Sequence, residues 1–304
     1  MKGNVIVGQS GGPTAAINSS LAGVYRTAKD RGANKVYGML HGIQGLLKEK
    51  YIDLSDHIKT ELDAELLKRT PAAFLGSCRY KLPEIHENRE VYDKIFEILD
   101  KLDIEAFIYI GGNDSMDTIK KLSDYAIVFG HSIRFIGCPK TIDNDLALTD
   151  HTPGFGSAAR YVAASILEMA HDTYIYNTRS VLIAEIMGRD AGWLTASSVL
   201  ARNSYSQAPH LIYLPEHPFS KEQFIEDIRE QFEKREHIVI AVSEGLRDDK
   251  GQYISAETSA VDAFGHATLS GTGKCLENLV AETFGCKVRS VEINVLQRCA
   301  AHMA

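Results

Sequence analysis

Short apolar runs alternate with longer amphipathic segments along almost the whole chain, and this alternation constrains the fold more than any other feature. Runs with so few polar residues are typical of strands buried on both faces of a parallel sheet. The segments between them have helical spacing, so the pattern predicts an α/β architecture with right-handed crossovers. The predicted strands are NVIVG (4–8), KVYGML (35–40), IEAFIYI (104–110), IRFIG (133–137), SVLIAEI (180–186), HLIYL (210–214), HIVIAV (237–242) and KVRSVEINV (287–295).

The chain length allows two domains. A length of 304 residues suits one large domain or two of roughly 150 residues each. Turn residues at 152–156 (TPGFG) precede a predicted helix over 157–170, and such a turn is a plausible point for a domain change. We therefore predict domains at 1–155 and 156–304.

Composition and charge exclude several function classes. The net charge of −7 gives no basic footprint for nucleic acid or for an anionic membrane surface, although a locally basic site could still bind a small anion. The amino terminus lacks the pattern of a signal peptide, and no apolar run is long enough to span a bilayer. The five cysteines are scattered, which favours reduced thiols over disulfides or a zinc site. We expect a cytoplasmic protein without nucleic-acid or membrane partners.

Glycine-rich turns follow two of the predicted strands. The segments 8–14 (GQSGGPT) and 111–115 (GGNDS) each place paired glycines between a strand and a helix. Exposed backbone amides beside a helix N-terminus form a concavity that binds phosphate. The structural alternative is two tight turns that need glycine flexibility. Two such turns, both after strands, favour phosphate binding.

Arginines occupy similar positions after strands or in glycine-led turns. Arg79 follows Gly76 in one such turn, and Arg189 comes directly after the strand at 180–186. Arg289 and Arg298 lie on or near the last predicted strand. A solvated surface arginine is the structural alternative, whereas at a phosphate site the guanidinium would bind phosphoryl oxygens in a bidentate fork.

The segment CPKTIDNDL (138–146) combines Lys140 and Thr141 with two acids directly after a predicted strand. An extended chain would point Asp143 and Asp145 the same way. One acid could then accept a proton while the other holds a metal ion, a division of tasks that suits phosphoryl transfer. An Asx-rich turn is the alternative. The segment SGTGK (270–274) looks like the end of a Walker A loop, but the first required glycine is missing, and we predict a helix start there.

In chain order, these segments resemble the phosphofructokinase family over nearly the whole chain. The resemblance implies two doubly wound three-layer αβα domains with mostly parallel sheets, the first for the phosphate donor and magnesium, the second for the sugar phosphate. It also implies phosphoryl transfer to the 1-hydroxyl of fructose 6-phosphate. The shared landmarks are SGG (10–12), GSxR (76–79), GGxxS (111–115), TIDND (141–145), ExMGR (185–189), EG (244–245) and the segment from Arg289 to Arg298.

The resemblance implies a role for each candidate residue. Asp143 would be the general base, and Thr141 would orient the transferred group with Lys140 and Arg189. Mg²⁺ would be held by Asn113, Asp114 and Asp145. The implied donor-binding residues are Gly12, Arg79, Gly112, Asp114 and Lys140. The implied sugar-binding residues are Thr141, Ile142, Asp143, Met187, Gly188, Arg189 and Glu244, with Arg289 and Arg298 at the 6-phosphate. Neighbouring subunits complete one another's sugar sites in this family, so self-association as a dimer or tetramer is expected.

Two positions indicate pyrophosphate as the donor. Members that use ATP usually have glycine at the positions of Asp114 and Lys140, whereas members that use pyrophosphate have an acid and a lysine there. A carboxylate about 4 Å from the ATP α-phosphate, at an effective dielectric near 20, would cost roughly 4 kcal/mol. That energy corresponds to about a thousandfold in affinity. Lys140 supplies a compact cation for a donor without a nucleoside.

Three alternatives remain open from the sequence. An ATP-dependent member could tolerate Asp114, a related sugar phosphate could be the acceptor, or the chain could be an idle or regulatory subunit. Asn113 stands where family members often have an acid. The chain ends at Ala304, six residues after Arg298, whereas family members continue, so a C-terminal truncation is expected.

Overall fold

The computed structural model describes residues 3–255 and 271–300. Contacts between Cα atoms divide the chain into two compact units. The chain passes from the first unit to the second between Thr141 and Ile142, ahead of the predicted boundary at residue 155. Arg298 belongs again to the first unit.

The first unit contains a five-stranded sheet with the order β3-β2-β1-β4-β5. The strands are parallel except β3, a three-residue edge strand that pairs antiparallel with β2 and that the sequence analysis did not predict. The strands are β1 (Asn4–Gln9), β2 (Val36–Met39), β3 (Tyr51–Asp53), β4 (Ile104–Gly111) and β5 (Arg134–Pro139). The helices are α1 (Ile17–Asp30), α2 (Gly42–Leu46), α3 (Glu61–Lys68), α4 (Arg89–Lys101) and α5 (Asn113–Phe129).

Helices cover both faces of this first sheet. Val5 and Val7 of β1 pack into one hydrophobic core with α1 and α3. Ile6 points to the opposite face and packs into a second core with α2, α4 and α5. Because successive strand residues face opposite sides, the apolar residues Val5, Ile6 and Val7 bury β1 on both faces. This explains why its sequence shows a continuous apolar run.

The second unit contains a four-stranded parallel sheet with the order β7-β8-β6-β9. Ala184 of β6 packs into a core with α6 and α7, whereas Ile183 packs into a core with α8 and α9 on the other face. The α/β prediction with mostly parallel sheets is confirmed. The elements are α6 (Phe155–Tyr174), β6 (Ser180–Ile186), α7 (Trp193–Ala196), β7 (Leu211–Tyr213), α8 (Lys221–Phe232), β8 (His237–Ser243), α9 (Thr272–Phe284), β9 (Lys287–Glu292) and α10 (Leu296–Cys299).

Two predicted boundaries need correction. The last predicted strand, 287–295, is too long: β9 ends at Glu292, and the chain then turns into α10, so Arg298 is helical. The long helix predicted from residue 157 begins at Phe155 and extends to Tyr174. Among the helices of the described residues, none combines the length and apolar character needed to cross a membrane.

Candidate functional site

Both glycine-rich turns of the first unit follow neighbouring strands. Gln9 of β1 is in register with Ile110 of β4, so the two turns leave the sheet at the same edge. The Ser10 amide donates to the Ile110 carbonyl over 2.9 Å, and the hydroxyls of Ser10 and Ser115 share a hydrogen bond. A Cβ atom at Gly111 would collide with the Ser115 side chain, so glycine is required for this close contact. The two turns therefore form one connected surface.

The start of α5 provides the amides of this surface. Gly112 is the N-cap residue and has no side chain to cover the first turn of the helix. Asn113 and Asp114 occupy that turn, where Asn113 is exposed and Asp114 is half-buried. The positive end of a helix dipole and its free amides favour anions. A carboxylate in the same turn restricts which anions fit there.

Lys140 links the two glycine turns. Its side chain is almost fully buried, at 4% exposure, and its Nζ donates a hydrogen bond to the Gly12 carbonyl over 2.6 Å. Its backbone amide donates to the Gly111 carbonyl over 3.0 Å. Gly11 has a φ of +75° and passes so close that a Cβ atom there would lie 3.1 Å from Nζ. A buried ammonium is thus fixed between the two candidate phosphate-binding turns.

Two arginines lie near the first glycine turn. The Ser77 hydroxyl donates to the Gly11 carbonyl over 2.6 Å, which holds the turn that carries the exposed Arg79. On the other side, a Cβ atom at Gly12 would lie 3.0 Å from Nη1 of Arg298. The structure therefore places Arg298 beside the predicted donor turn, and its predicted contact with the sugar 6-phosphate stays a prediction.

The second unit has a corresponding group of residues at the carboxyl ends of β6 and β8. Ile186 is in register with Ser243, so Met187 and Glu244 leave neighbouring strands at one edge. The Gly188 amide donates to Oε1 of Glu244 over 3.3 Å, and the Ser243 hydroxyl donates to the Gly188 carbonyl over 2.5 Å. Gly188 has a φ of +140°, a conformation that favours glycine. The Met-Gly-Arg turn is therefore locked to the Glu244 turn.

The charges of Asp143 and Arg189 influence the pKa of the Glu244 carboxylate. Burial raises the pKa of Glu244 to about 7. The negative charges of Glu185 and Asp143 act in the same direction, whereas the Gly188 amide and the Arg189 guanidinium oppose them. The second unit thus brings together three of the predicted sugar-binding residues and the predicted base.

The loop that carries Asp143 is not extended. The prediction that Asp143 and Asp145 point the same way assumed an extended chain, and that assumption is wrong. Asn144 has a φ of +58°, in the left-handed region that asparagine tolerates. Its side chain is 8% exposed, donates to the Asp150 carbonyl over 3.0 Å and accepts from the Thr152 amide over 2.9 Å. These bonds turn the backbone, leaving Asp143 half-buried and Asp145 exposed.

The residue before Asp143 anchors the same loop from the other side. Ile142 is 7% exposed and belongs to the hydrophobic core that also contains Phe155 and Ala158 of α6. Asp143 is therefore held between a buried apolar side chain and a buried asparagine. The Asx-turn interpretation applies to Asn144, and the role of Asp143 as the base stays a prediction.

Arg289 lies apart from the Met-Gly-Arg turn within the second unit. It is in register with Leu182 of β6, four residues before Ile186, which corresponds to roughly 13 Å along a strand. Its guanidinium is exposed and lies 3.4 Å from the carboxylate of Asp172 on α6. The structure thus does not bring Arg289 to the Glu244 turn of its own chain.

Several residues that shape these turns had no predicted role. Ser10 and Ser115 were part of quoted motifs, but nothing in the sequence showed that their hydroxyls meet across the sheet edge. Asn144 could have been found, because an asparagine flanked by acids in a turn is a common signal for a side chain that bonds its own backbone. Ser243 gave no comparable signal.

Comparisons with known proteins identify the family of this chain. The sequence profile of the family described as "Phosphofructokinase" matches residues 4–292. The chain is 43% identical over 304 residues to the pyrophosphate–fructose 6-phosphate 1-phosphotransferase of Xanthomonas campestris, covering 99% of this chain and 72% of that protein. It is 42% identical over 305 residues to the protein of the same name from Rhodospirillum rubrum, covering 98% and 73%.

A solved structure gives the same result for the fold. The crystal structure of the pyrophosphate-dependent phosphofructokinase from Nitrosospira multiformis superposes with a TM-score of 0.84 at 35% identity. The match covers 98% of this chain and 71% of that one. The resemblance found in the motifs is confirmed, and the chain belongs to the phosphofructokinase family.

Proposed function

We propose that the chain transfers a phosphoryl group reversibly from pyrophosphate to the 1-hydroxyl of fructose 6-phosphate, giving fructose 1,6-bisphosphate and phosphate. One observation carries the choice of donor. The buried ammonium of Lys140 joins both glycine turns, and the carboxylate of Asp114 lies in the adjoining first turn of α5. This combination suits a compact anion without a nucleoside. The names of the relatives at 42% and 43% identity support the same reaction.

The first unit supplies the donor contacts in this proposal. The backbone around Gly12 and Gly112 offers amides, and Lys140 and Arg79 offer positive charge to the phosphate oxygens. Hydrogen bonds from charged donors are shorter and stronger than neutral ones. Asp114 excludes larger donors from the same turn by steric conflict and charge repulsion.

The second unit supplies the sugar contacts. Met187, Gly188 and Glu244 form a fixed edge at which the sugar hydroxyls can donate and accept hydrogen bonds. Arg189 offers positive charge beside that edge. Ile142 contributes through its packing, which holds the loop that carries Asp143.

In the chemical step, Asp143 accepts the proton of the 1-hydroxyl as its oxygen attacks the nearer phosphorus of pyrophosphate. The bond between that phosphorus and the bridging oxygen breaks, and the second phosphate leaves with the bonding electrons. Thr141, Lys140 and Arg189 orient the transferred group and offset its negative charge. Positioning and charge neutralisation are the main contributions a protein makes to phosphoryl transfer.

The residues present also fit Mg²⁺. Within residues 3–255 and 271–300, no group of three or more histidine, cysteine, aspartate or glutamate residues could hold a metal ion. Mg²⁺ is commonly bound through one or two carboxylates together with substrate phosphates, so such a group is not required. We expect Asp114, Asp145 and Asn113 to contribute. When bound, Mg²⁺ would neutralise charge on the donor oxygens.

Self-association accompanies this proposal. The exposed position of Arg289, distant along the sheet from the Met-Gly-Arg turn of its own chain, suits a role at the sugar 6-phosphate of a second copy. We propose a dimer or tetramer on this basis, acting in the cytoplasm.

The donor and acceptor can be tested directly. Purified protein with Mg²⁺ and fructose 6-phosphate is given either pyrophosphate or ATP, and fructose 1,6-bisphosphate is measured. We expect product with pyrophosphate and none above background with ATP. A seven-carbon ketose phosphate serves as a second acceptor and should react more slowly. Turnover with ATP alone would overturn the donor assignment, and no turnover with either donor would favour an idle subunit.

Asn144 provides a test of the loop that carries the proposed base. Asn144→Gly keeps the positive φ but removes both side-chain hydrogen bonds, each contributing about 1 kcal/mol. We expect kcat to fall about tenfold with a smaller change in KM for the sugar, because the orientation of Asp143 is lost. Asn144→Asp keeps the acceptor for Thr152 and should lose less. Equal kcat values for both variants and the wild type would show that these bonds do not orient Asp143.

A further inference from the structure

The helix α9 begins without a capping side chain of its own. Its N-cap residue is Gly271, in the left-handed conformation, and no side-chain hydrogen bond caps the helix from that position. Thr272, Gly273 and Lys274 follow, and together with Gly271 they are the part of the Walker-like sequence that lies in the described residues. The prediction of a helix start there is confirmed. A helix start with free amides favours an anion.

A carboxylate of the protein itself occupies this position. Glu185, on β6, is 5% exposed, and its Oε2 accepts a hydrogen bond from the Gly273 amide over 2.6 Å. The Gly271 amide also contributes a backbone hydrogen bond to this carboxylate. A Cβ atom at Gly273 would lie 3.1 Å from Oε2, so glycine permits the close approach. The helix is therefore capped by a residue of a neighbouring strand rather than by a bound phosphate.

The capped turn is also bonded to the sugar edge. The Thr272 hydroxyl donates to the carbonyl of Glu244 over 3.1 Å. Glu244 in turn accepts from the Gly188 amide. A continuous series of contacts thus runs from Glu185 through the first turn of α9 to Glu244 and the Met-Gly-Arg turn.

Burying a carboxylate here is costly. Burial raises the pKa of Glu185 to about 7, and the charge of Glu292 acts in the same direction, while the Gly273 and Gly271 amides oppose it. A serine or aspartate at the N-cap could cap α9 without a buried charge. Unlike such a local cap, a carboxylate on β6 also fixes the helix to the strand that leads into Met187.

We propose that Glu185 is a positioning residue of the sugar site: it caps α9 from β6 and, through Thr272, holds Glu244 in place opposite Gly188. This rests on the proposed function, which assigns Glu244 to the sugar. Glu185 does not touch the substrate. Its loss should therefore weaken sugar binding and leave donor binding unchanged.

The test compares Glu185→Ala, Glu185→Gln and Thr272→Val with the wild-type full chain. Calorimetric titration with fructose 6-phosphate gives the sugar Kd, and steady-state kinetics give kcat and the KM for pyrophosphate. We expect Glu185→Ala to raise the sugar Kd about tenfold, because buried amides lose their acceptor. Glu185→Gln retains one acceptor and should lose less. In all three variants kcat and the KM for pyrophosphate should stay within about threefold of the wild type.

Glu277→Gln is the matched control. Glu277 lies on the same helix, and its carboxylate accepts a hydrogen bond from the Ser290 amide of β9 over 2.9 Å rather than from the first turn that contacts Glu244. We expect an unchanged sugar Kd for this variant. Thr272→Val removes one hydroxyl and keeps the side-chain shape. It therefore tests the contact between α9 and Glu244 even if Glu185→Ala does not fold.

The outcomes separate this proposal from the proposed function. An unchanged sugar Kd in Glu185→Gln and Thr272→Val would overturn the positioning role. A loss of pyrophosphate affinity as large as the loss of sugar affinity would also overturn it. Sugar binding without pyrophosphate turnover in the wild type would overturn the donor assignment and leave the Kd comparison valid. A wild type that does not bind fructose 6-phosphate would overturn both.

Discussion

Asp143→Asn is expected to lower kcat by about 10²- to 10⁴-fold, the range that a positioned general base contributes. Asparagine has nearly the same shape and cannot accept the proton of the 1-hydroxyl. The loop should keep its conformation, because Ile142 and Asn144 hold it from either side. The sugar Kd, measured by calorimetry, should therefore change little while turnover with pyrophosphate is lost.

Asp150→Asn is the control for this prediction. Asp150 is an exposed acid in the same loop, and its backbone carbonyl, not its side chain, accepts the bond from Asn144. The control should turn over at the wild-type rate. If Asp143→Asn keeps near-wild-type kcat, Asp143 is not the base. A large rise in the sugar Kd would instead indicate that Asp143 acts mainly in binding.

Asp114→Gly is expected to open the donor site to ATP. Removing a carboxylate that repels a phosphate about 4 Å away relieves roughly 4 kcal/mol, or about a thousandfold in affinity. We keep Lys140 in this variant because its Nζ holds the Gly12 carbonyl, and a glycine there would disturb the turn as well as the charge. The measurement is kcat/KM for ATP and for pyrophosphate with fructose 6-phosphate saturating.

Asp124→Gly is the matched control, since it makes the same substitution at an exposed position of the same helix. It reproduces the loss of helix propensity on replacing aspartate by glycine, roughly a few tenths of a kcal/mol, without changing the first turn. ATP turnover should rise in Asp114→Gly and not in the control. If ATP stays excluded from Asp114→Gly, other residues determine the donor.

The sequence predicted the buried strands best. Every residue of β6 is buried, so its apolar run had one interpretation and its bounds were predicted correctly as 180–186. The edge strand β3 was missed because three residues without a buried face give no periodicity. The last strand was predicted to run to residue 295 because the apolar alternation continues past Glu292, where the backbone has already left the sheet.

The contacts within the site were less predictable for a physical reason. The turn at Asn144 depends on bonds that its side chain makes to residues 150 and 152, and these override the extended geometry assumed for Asp143 and Asp145. Glu185 and Gly273 lie 88 positions apart, and only the folded sheet brings them together. Motif order indicated which residues belong to the site. It could not indicate which atoms hold them.

The cross-connections of the two glycine turns have a consequence for entropy. A flexible phosphate loop loses conformational freedom when its ligand arrives, and that loss weakens binding. Here Lys140, Ser10 and Ser77 fix the turns during folding. The ordering cost thus falls on the stability of the first unit rather than on the affinity for the donor, and the donor turns should lose their shape only when that unit unfolds.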